Sequence, residues 1–227
     1  MKIGLLQAGH FVPELQSELG DYRALYARLL DGHGPEFELE TFSVVDMEFP
    51  QDIDVADGFL ISGSKHGAYE DHAFIPRLEN LIRDIHASGK PLIGVCFGHQ
   101  IIAQALGGKV EKFDNGWSVG RVEYDMEGQE FALNAWHQDQ VVEAPIGAKT
   151  VGSSPFCAHA ALAYSDQIWT MQPHPEFESA AIEGLLRLRG GSVNPDRLAH
   201  AKDQLSATNN NAEIGQKMAS FFMKERA

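Results

Sequence analysis

Pro91-Leu-Ile-Gly-Val-Cys96-Phe-Gly-His-Gln100 is the stretch that decides how this chain folds. Pro91 to Val95 is a short apolar run of buried-strand length, and Gly98 to Leu106 continues with helical character, so Cys96 falls in the turn between them. A nucleophile at the apex of a strand–turn–helix is an elbow. Its backbone is forced into a poorly populated conformation, tolerable when the residues two before and two after carry no bulk. Gly94 and Gly98 meet that requirement. The helix N-terminus beyond offers unpaired N–H groups and the positive end of a dipole, which favour a thiolate and an oxyanion.

A second element lies far downstream. Met171-Gln-Pro-His174-Pro-Glu176 ends the strand-like run Gln167 to Gln172. A thiol that attacks a carbonyl needs an imidazole to take its proton and return it to the leaving amine, and the imidazole needs a carboxylate to fix its tautomer. His174 and Glu176 fit those roles, and the prolines on either side of His174 stiffen the loop. Taken singly, Cys96 also fits a small buried hydrophobe and His-x-Glu a solvated polar turn.

Together the two segments resemble the class I glutamine amidotransferase family, whose Cys-His-Glu triad draws its cysteine from a G-x-C-x-G-x-Q elbow and its other members from H-P-E. Phe59-Leu-Ile-Ser-Gly-Ser64 is similar to the family's strand and oxyanion loop, and Gly107-Gly-Lys-Val110 to the turn after its elbow helix. Asn134-Ala-Trp-His-Gln-Asp-Gln-Val141 resembles the segment that helps hold glutamine. The resemblance implies a flavodoxin-like α/β fold, with Cys96, His174 and Glu176 as the catalytic triad. It implies backbone donors for the oxyanion at Phe97 and in the Gly63-Ser64 loop, and a substrate pocket built from Gln100, Trp136, His137 and Asp139. It implies no cofactor. Two positions depart from the pattern: Ser64 stands where a second glycine is frequent, and Trp136 where smaller residues are common. A serine in a demanding dihedral would be costly, and Trp136 also fits a packing role.

Composition agrees with one domain. The 227 residues are 44% hydrophobic, enough for one good core with a terminal extension. The expected division is a catalytic domain over residues 1–180 and a helical C-terminal extension over 181–227, packed on the same domain. No run is long enough to span a bilayer, and Met-Lys-Ile-Gly-Leu-Leu-Gln turns polar too early for a secretory signal, so a cytoplasmic protein is expected. Cys96 and Cys157 are too few for a disulfide framework, and Cys157, beside Phe156, reads as a buried thiol. No metal site is expected: none of the ten histidines pairs with a cysteine or carboxylate at zinc-site spacing, and His66, His72, His159 and His200 read as scattered. A net charge of −14 without a basic stretch argues against nucleic acid and anionic membranes as partners.

Strands and helices alternate through the first half, the signature of a mostly parallel central sheet with flanking helices. Lys2–Gln7, Phe37–Val45 and Phe59–Ser62 read as strands. One helix carries Tyr22, Leu25, Tyr26, Leu29 and Leu30 on one face, and another carries Phe74, Ile75, Leu78, Leu81, Ile82 and Ile85. Beyond residue 108 shorter pieces follow, at 119–124, 131–137, 141–144, 160–164 and 167–172, several of them expected to pair in a smaller antiparallel section. Glu178 to Arg189 and two later stretches are helical. The last shows a stripe of Ile214, Met218, Phe221 and Phe222, suited to core contact or, if exposed, to a homodimer or partner surface.

The chain lacks a Gly-rich phosphate loop and the length for a second catalytic half. Three functions fit a small-molecule γ-glutamyl substrate: the glutaminase of an amidotransferase that passes ammonia to a synthase subunit, a standalone γ-glutamyl peptidase or hydrolase, and a non-catalytic binding module.

Overall fold

The structure is a computed structural model that describes residues 1–226. The chain begins with β1 (Lys2–Leu6), α1 (Pro13–Leu19), α2 (Tyr22–Leu30) and β2 (Glu38–Phe42), and after two 3₁₀ turns reaches β3 (Gly58–Ile61), α3 (Phe74–Ser88), β4 (Leu92–Val95) and α4 (Phe97–Ala105). Seven strands follow: β5 (Lys109–Lys112), β6 (Ser118–Met126), β7 (Gln129–His137), β8 (Asp139–Glu143), β9 (Lys149–Ser153), β10 (Ala161–Tyr164) and β11 (Ile168–Met171). The chain closes with α5 (Ser179–Arg189), α6 (Pro195–Asp203) and α7 (Asn211–Met223).

Nine strands form one sheet in the order β2-β1-β3-β4-β11-β10-β9-β6-β7. Its pairs are parallel from β2 to β11 and antiparallel from β11 to β7. The expected α/β architecture is therefore present, but most of the antiparallel pieces continue the central sheet, while β5 and β8 pair separately. Every residue of β3 and β4 is buried, as in parallel strands covered on both faces. Strand alternation sends Phe59, Ile61 and Leu92 to a core with α3 and α4, where they meet Leu78, Ile82 and Ile101. Leu60, Ile93 and Val95 point the other way, into a core with Tyr26, Ile182 and Met218 of α2, α5 and α7.

In α7, Ile214, Met218 and Phe222 are buried in that second core, and Phe221 packs on Trp169 at 6.1 Å. Three of the four stripe residues are core contact, while Phe221 stays partly exposed beside Trp169. The C-terminal segment also closes a sheet edge. The Asn210 N–H donates to the Ala132 carbonyl at 2.8 Å, and the Ala132 N–H donates to Asn210 Oδ1 at 2.8 Å, pairing the free side of β7 as a strand would.

Three elements carry too little pattern to be read from sequence. α1 buries one leucine, Leu15, β5 buries one valine, Val110, and β9 (Lys-Thr-Val-Gly-Ser) buries one glycine.

Candidate active site

The C-terminal ends of β1, β3, β4 and β11 lie side by side in the sheet, and the expected catalytic residues leave from three of them, where α/β sheets place ligands. Cys96 follows β4 and caps the N-terminus of α4 with φ 53° and ψ −104°, a left-handed value rare for a side-chain-bearing residue. Its neighbours explain how this strain is held. A Cβ on Gly94 would stand 2.6 Å from the Gly98 backbone, and one on Gly98 would stand 2.3 Å from the Ile61 carbonyl oxygen of β3. Strand, turn and helix are thus pressed together with no room for a side chain. The Cys96 N–H is tied to the Met171 carbonyl of β11 at 2.8 Å, and its carbonyl accepts from Gln100 N–H at 3.1 Å.

Three residues beyond the end of β11, His174 is fixed from three directions. Its N–H donates to the Asn134 carbonyl of β7 at 2.8 Å, its Nδ1 lies 2.7 Å from Glu176 Oε1, and the Phe177 ring stacks on it at 4.0 Å with 3° between planes. The Cys96 thiol faces the same cleft, and its charge couples to the imidazole. The carboxylate of Glu176 also accepts from the Tyr26 hydroxyl at 3.2 Å, so α2 holds the orienting group. Cys96, His174 and Glu176 are all buried; the last two are hydrogen-bonded, and Cys96 and His174 line one cleft.

Burial pulls the His174 imidazole down, but the charges of Glu176 and Cys96 outweigh it and push its pKa up to about 10. A histidine so poised carries a proton at neutral pH and can deliver it to a leaving nitrogen. The sign follows directly. The folded state holds this proton more tightly than the unfolded chain, so the stability it contributes is complete below the ordinary histidine value of 6.5 and is lost as the pH rises through about 10. NMR titration should find the His174 ring protonated well above pH 7, and Glu176→Gln should move its midpoint down. A midpoint near 6.5 in the parent would refute the coupling.

The loop expected to face the oxyanion follows β3. Ser62 Oγ accepts from Ala8 N–H at 3.0 Å and donates to the Gly63 carbonyl at 2.9 Å. Because a peptide is planar, fixing that carbonyl also fixes the opposite-facing N–H of Ser64. A Cβ on Gly63 would stand 2.9 Å from His174 Cε1, so the loop lies against the imidazole. Ser64 is absent from the left-handed non-glycine residues, which among those described are Met47, Cys96, Glu127 and Ser165. Its serine therefore meets no strained dihedral. Phe97, first residue of α4, starts a helix whose leading N–H groups have no helical acceptors.

The expected substrate residues line one cleft with Cys96 and His174, with a volume of about 550 Å³. Gln100 donates through Nε2 to the Asp139 carbonyl at 2.9 Å and to Gln172 Oε1 at 3.1 Å, so its amide nitrogen is already engaged. His137 lies 3.2 Å from the same carbonyl through Nδ1; burial holds its pKa down at about 3, and its buried Nε2 has no partner. This ring is neutral and keeps one nitrogen for a ligand. Burial raises Asp139, while the nearby Tyr69 hydroxyl opposes the shift. Trp136 both walls the cleft and packs on Trp117 at 6.2 Å.

Sequence reading missed several contributors. Ser62, Gln172, Asn134 and Tyr26 act through buried hydrogen bonds between distant segments, for which no local spacing exists. Trp117, Leu185, Leu188 and Arg189 join the cleft from β6's approach and from α5. The periodicity of α5 marks a buried face but not the groove that its C-terminal end flanks.

A sequence profile described as Glutamine amidotransferase class-I matches residues 36–185, which include Cys96, His174 and Glu176. Gamma-glutamyl peptidase 4 of Arabidopsis thaliana is 30% identical over 225 residues, spanning 91% of this chain and 89% of that protein. GMP synthase (glutamine-hydrolyzing) of Vibrio vulnificus is 32% identical over 164 residues, spanning 68% of this chain and 30% of that protein. The crystal structure of a glutamine amidotransferase from Thermotoga maritima shares the fold, with a TM-score of 0.75, 17% identity and 99% of each chain covered. With the elbow and the Cys-His-Glu geometry already in place, the profile match and the near full-length relative place this chain in the class I glutamine amidotransferase family.

Proposed function

We propose that this enzyme hydrolyses the γ-amide of glutamine, or a related γ-glutamyl bond, through a γ-glutamyl thioester on Cys96. The observation that carries the reading is Cys96 itself: a strained residue at a helix N-terminus, sharing one cleft with a histidine that Glu176 orients. The sulfur attacks the γ-carbonyl carbon, forming a C–S bond while the carbonyl electron pair moves to oxygen. Backbone N–H groups of Phe97 and Ser64 receive that oxyanion. As the tetrahedral species collapses, the C–N bond breaks and the His174 proton passes to the departing nitrogen. Water then gives a proton to His174 and attacks the thioester; the C–S bond breaks and glutamate leaves. Gln100, Trp136, His137 and Asp139 bound the glutamyl moiety. The extension expected over 181–227 is read as part of the same unit: among the described residues α5 walls the cleft, α6 packs on β6 and α7 on α2.

A specific feature favours a second reading, the standalone γ-glutamyl peptidase. The same cleft is walled by Trp117, Trp136, Leu185 and Leu188 and edged by Lys65, Lys112 and Arg189, a lining that suits a leaving group with an apolar body and an anionic end. Ammonia needs none of it. The near full-length gamma-glutamyl peptidase relative supports this reading, and the GMP synthase relative supports a synthase partner that takes up ammonia. Either reading suits a cytoplasmic protein, and among the described residues no helix is long and apolar enough to cross a membrane.

Glutamate release by the purified chain separates the readings. Turnover of γ-glutamyl dipeptides at least about tenfold above glutamine in kcat/KM is the peptidase outcome. Glutamine turnover that appears only with a synthase partner is the amidotransferase outcome. No turnover of either class, together with an unreactive Cys96, would refute the proposed chemistry.

A further inference from the structure

Between the oxyanion loop and α3 runs Lys65-His66-Gly-Ala-Tyr-Glu70-Asp-His72, whose histidines and Glu70 take no part in the thioester chemistry. The segment turns back on itself: Glu70 N–H donates to the Gly67 carbonyl at 3.1 Å, and His72 N–H donates to the Glu70 carbonyl at 3.1 Å. This turn gathers three side chains of ligand chemistry that are spread over seven positions of sequence. Glu70 Oε2 lies 2.8 Å from His72 Nε2 and 3.6 Å from His66 Nδ1, and the two imidazole centroids are 4.1 Å apart. One donor atom from each residue stands within 4.8 Å of both others. Both rings rest on Phe74, at 5.9 and 6.0 Å, which restricts their rotation, while Glu70 is exposed and leaves a path from solvent.

Hydrogen bonding alone accounts poorly for the cluster. Glu70 can satisfy His72, but His66 Nδ1 at 3.6 Å is beyond a hydrogen bond to the same oxygen. Protonating both rings would place two cations 4.1 Å apart. A divalent ion resolves both points, since both imidazoles ligate as neutral donors and the carboxylate supplies charge. Ligands on a tetrahedron with bonds near 2.1 Å stand about 3.4 Å apart, so separations of at most 4.8 Å require closing by about 1.4 Å or less.

We propose that His66 Nδ1, Glu70 and His72 Nε2 bind one divalent transition-metal ion of the zinc class, with its remaining positions open to water. Two imidazoles and one carboxylate suit such ions and disfavour calcium or magnesium, which require mostly oxygen ligands. The site would also clamp the oxyanion loop from outside. His66 N–H donates to Ser64 Oγ at 3.2 Å, which ties the cluster to that loop. Metal binding does not depend on the proposed reaction and is measured without it.

Tag-free protein stripped with chelator is titrated with Co²⁺, followed by calorimetry and visible absorption, and then challenged with Zn²⁺. One ion per chain is expected, with cobalt d–d bands, no thiolate-to-cobalt charge-transfer band, and displacement by zinc. Glu70→Gln and His72→Ala should each weaken binding by at least about tenfold, while Cys96→Ser binds as the parent does. Zinc should raise the melting temperature of the parent and not of Glu70→Gln. Should His72→Ala melt early in chelator, the exposed Glu70→Gln change alone decides. Affinity within about twofold of the parent in Glu70→Gln, a charge-transfer band lost with Cys96→Ser, or no saturation by about 0.1 mM metal would overturn the site.

Discussion

Cys96→Ala should abolish glutamate release from every γ-glutamyl donor, by about 10⁴-fold or more, and leave the fold in place. Alanine keeps the Cβ that already fits at φ 53°, so the change removes one sulfur without altering the elbow. His174→Ala should cost nearly as much, because this imidazole is bonded to Glu176 and shares the cleft with Cys96, where it can carry the proton. The double variant should be no worse than either single one, since groups that act as a unit are lost together. Steady-state turnover of the three proteins, with circular dichroism as the fold control, checks this. A His174→Ala protein with activity within about tenfold of the parent would refute the assigned proton transfer.

Gly98→Val should carry the largest structural penalty. Its Cβ would stand 2.3 Å from the Ile61 carbonyl oxygen and 3.0 Å from the Ile61 carbonyl carbon, both backbone of a strand buried along its whole length. Neither β3 nor α4 can yield without opening the packed core. The expected loss is about 3 kcal/mol or more, roughly 6–12 °C in melting temperature for a chain of this size, with Cys96 displaced in whatever fraction still folds. Gly191→Ala is the control: no atom lies within 4 Å of its new Cβ, and it should melt with the parent. If Gly98→Val keeps parental stability and turnover, the elbow is not the constrained turn described here.

Legibility followed the range of each signal. The elbow spans five residues and His174-x-Glu176 three, so their chemistry is written locally and could be read before any fold was known. α2, α3 and α7 declared themselves because each repeats its apolar positions over two or more turns. α1, β5 and β9 did not, because each buries a single residue and periodicity needs several. The supports of the triad were invisible for another reason. Tyr26 meets Glu176 across 150 positions, and Ser62 meets Ala8 across 54. Such contacts exist only once the sheet order is set. The grouping of His66, Glu70 and His72 was passed over although local, because their spacing matches no common metal motif and the turn that joins them is made by backbone bonds.

Reactivity of the two cysteines tests the central claim most directly. Cys157 is buried, and that burial pushes its thiol up to about 12, whereas Cys96 opens on the cleft beside His174. Intact-mass analysis and peptide mapping after treatment with a glutamine-mimicking diazo-ketone should show a single adduct, on Cys96, whose formation is slowed by glutamine or a γ-glutamyl peptide. An adduct on Cys157, or a Cys96 that stays unmodified in folded protein, would contradict a γ-glutamyl thioester at the elbow.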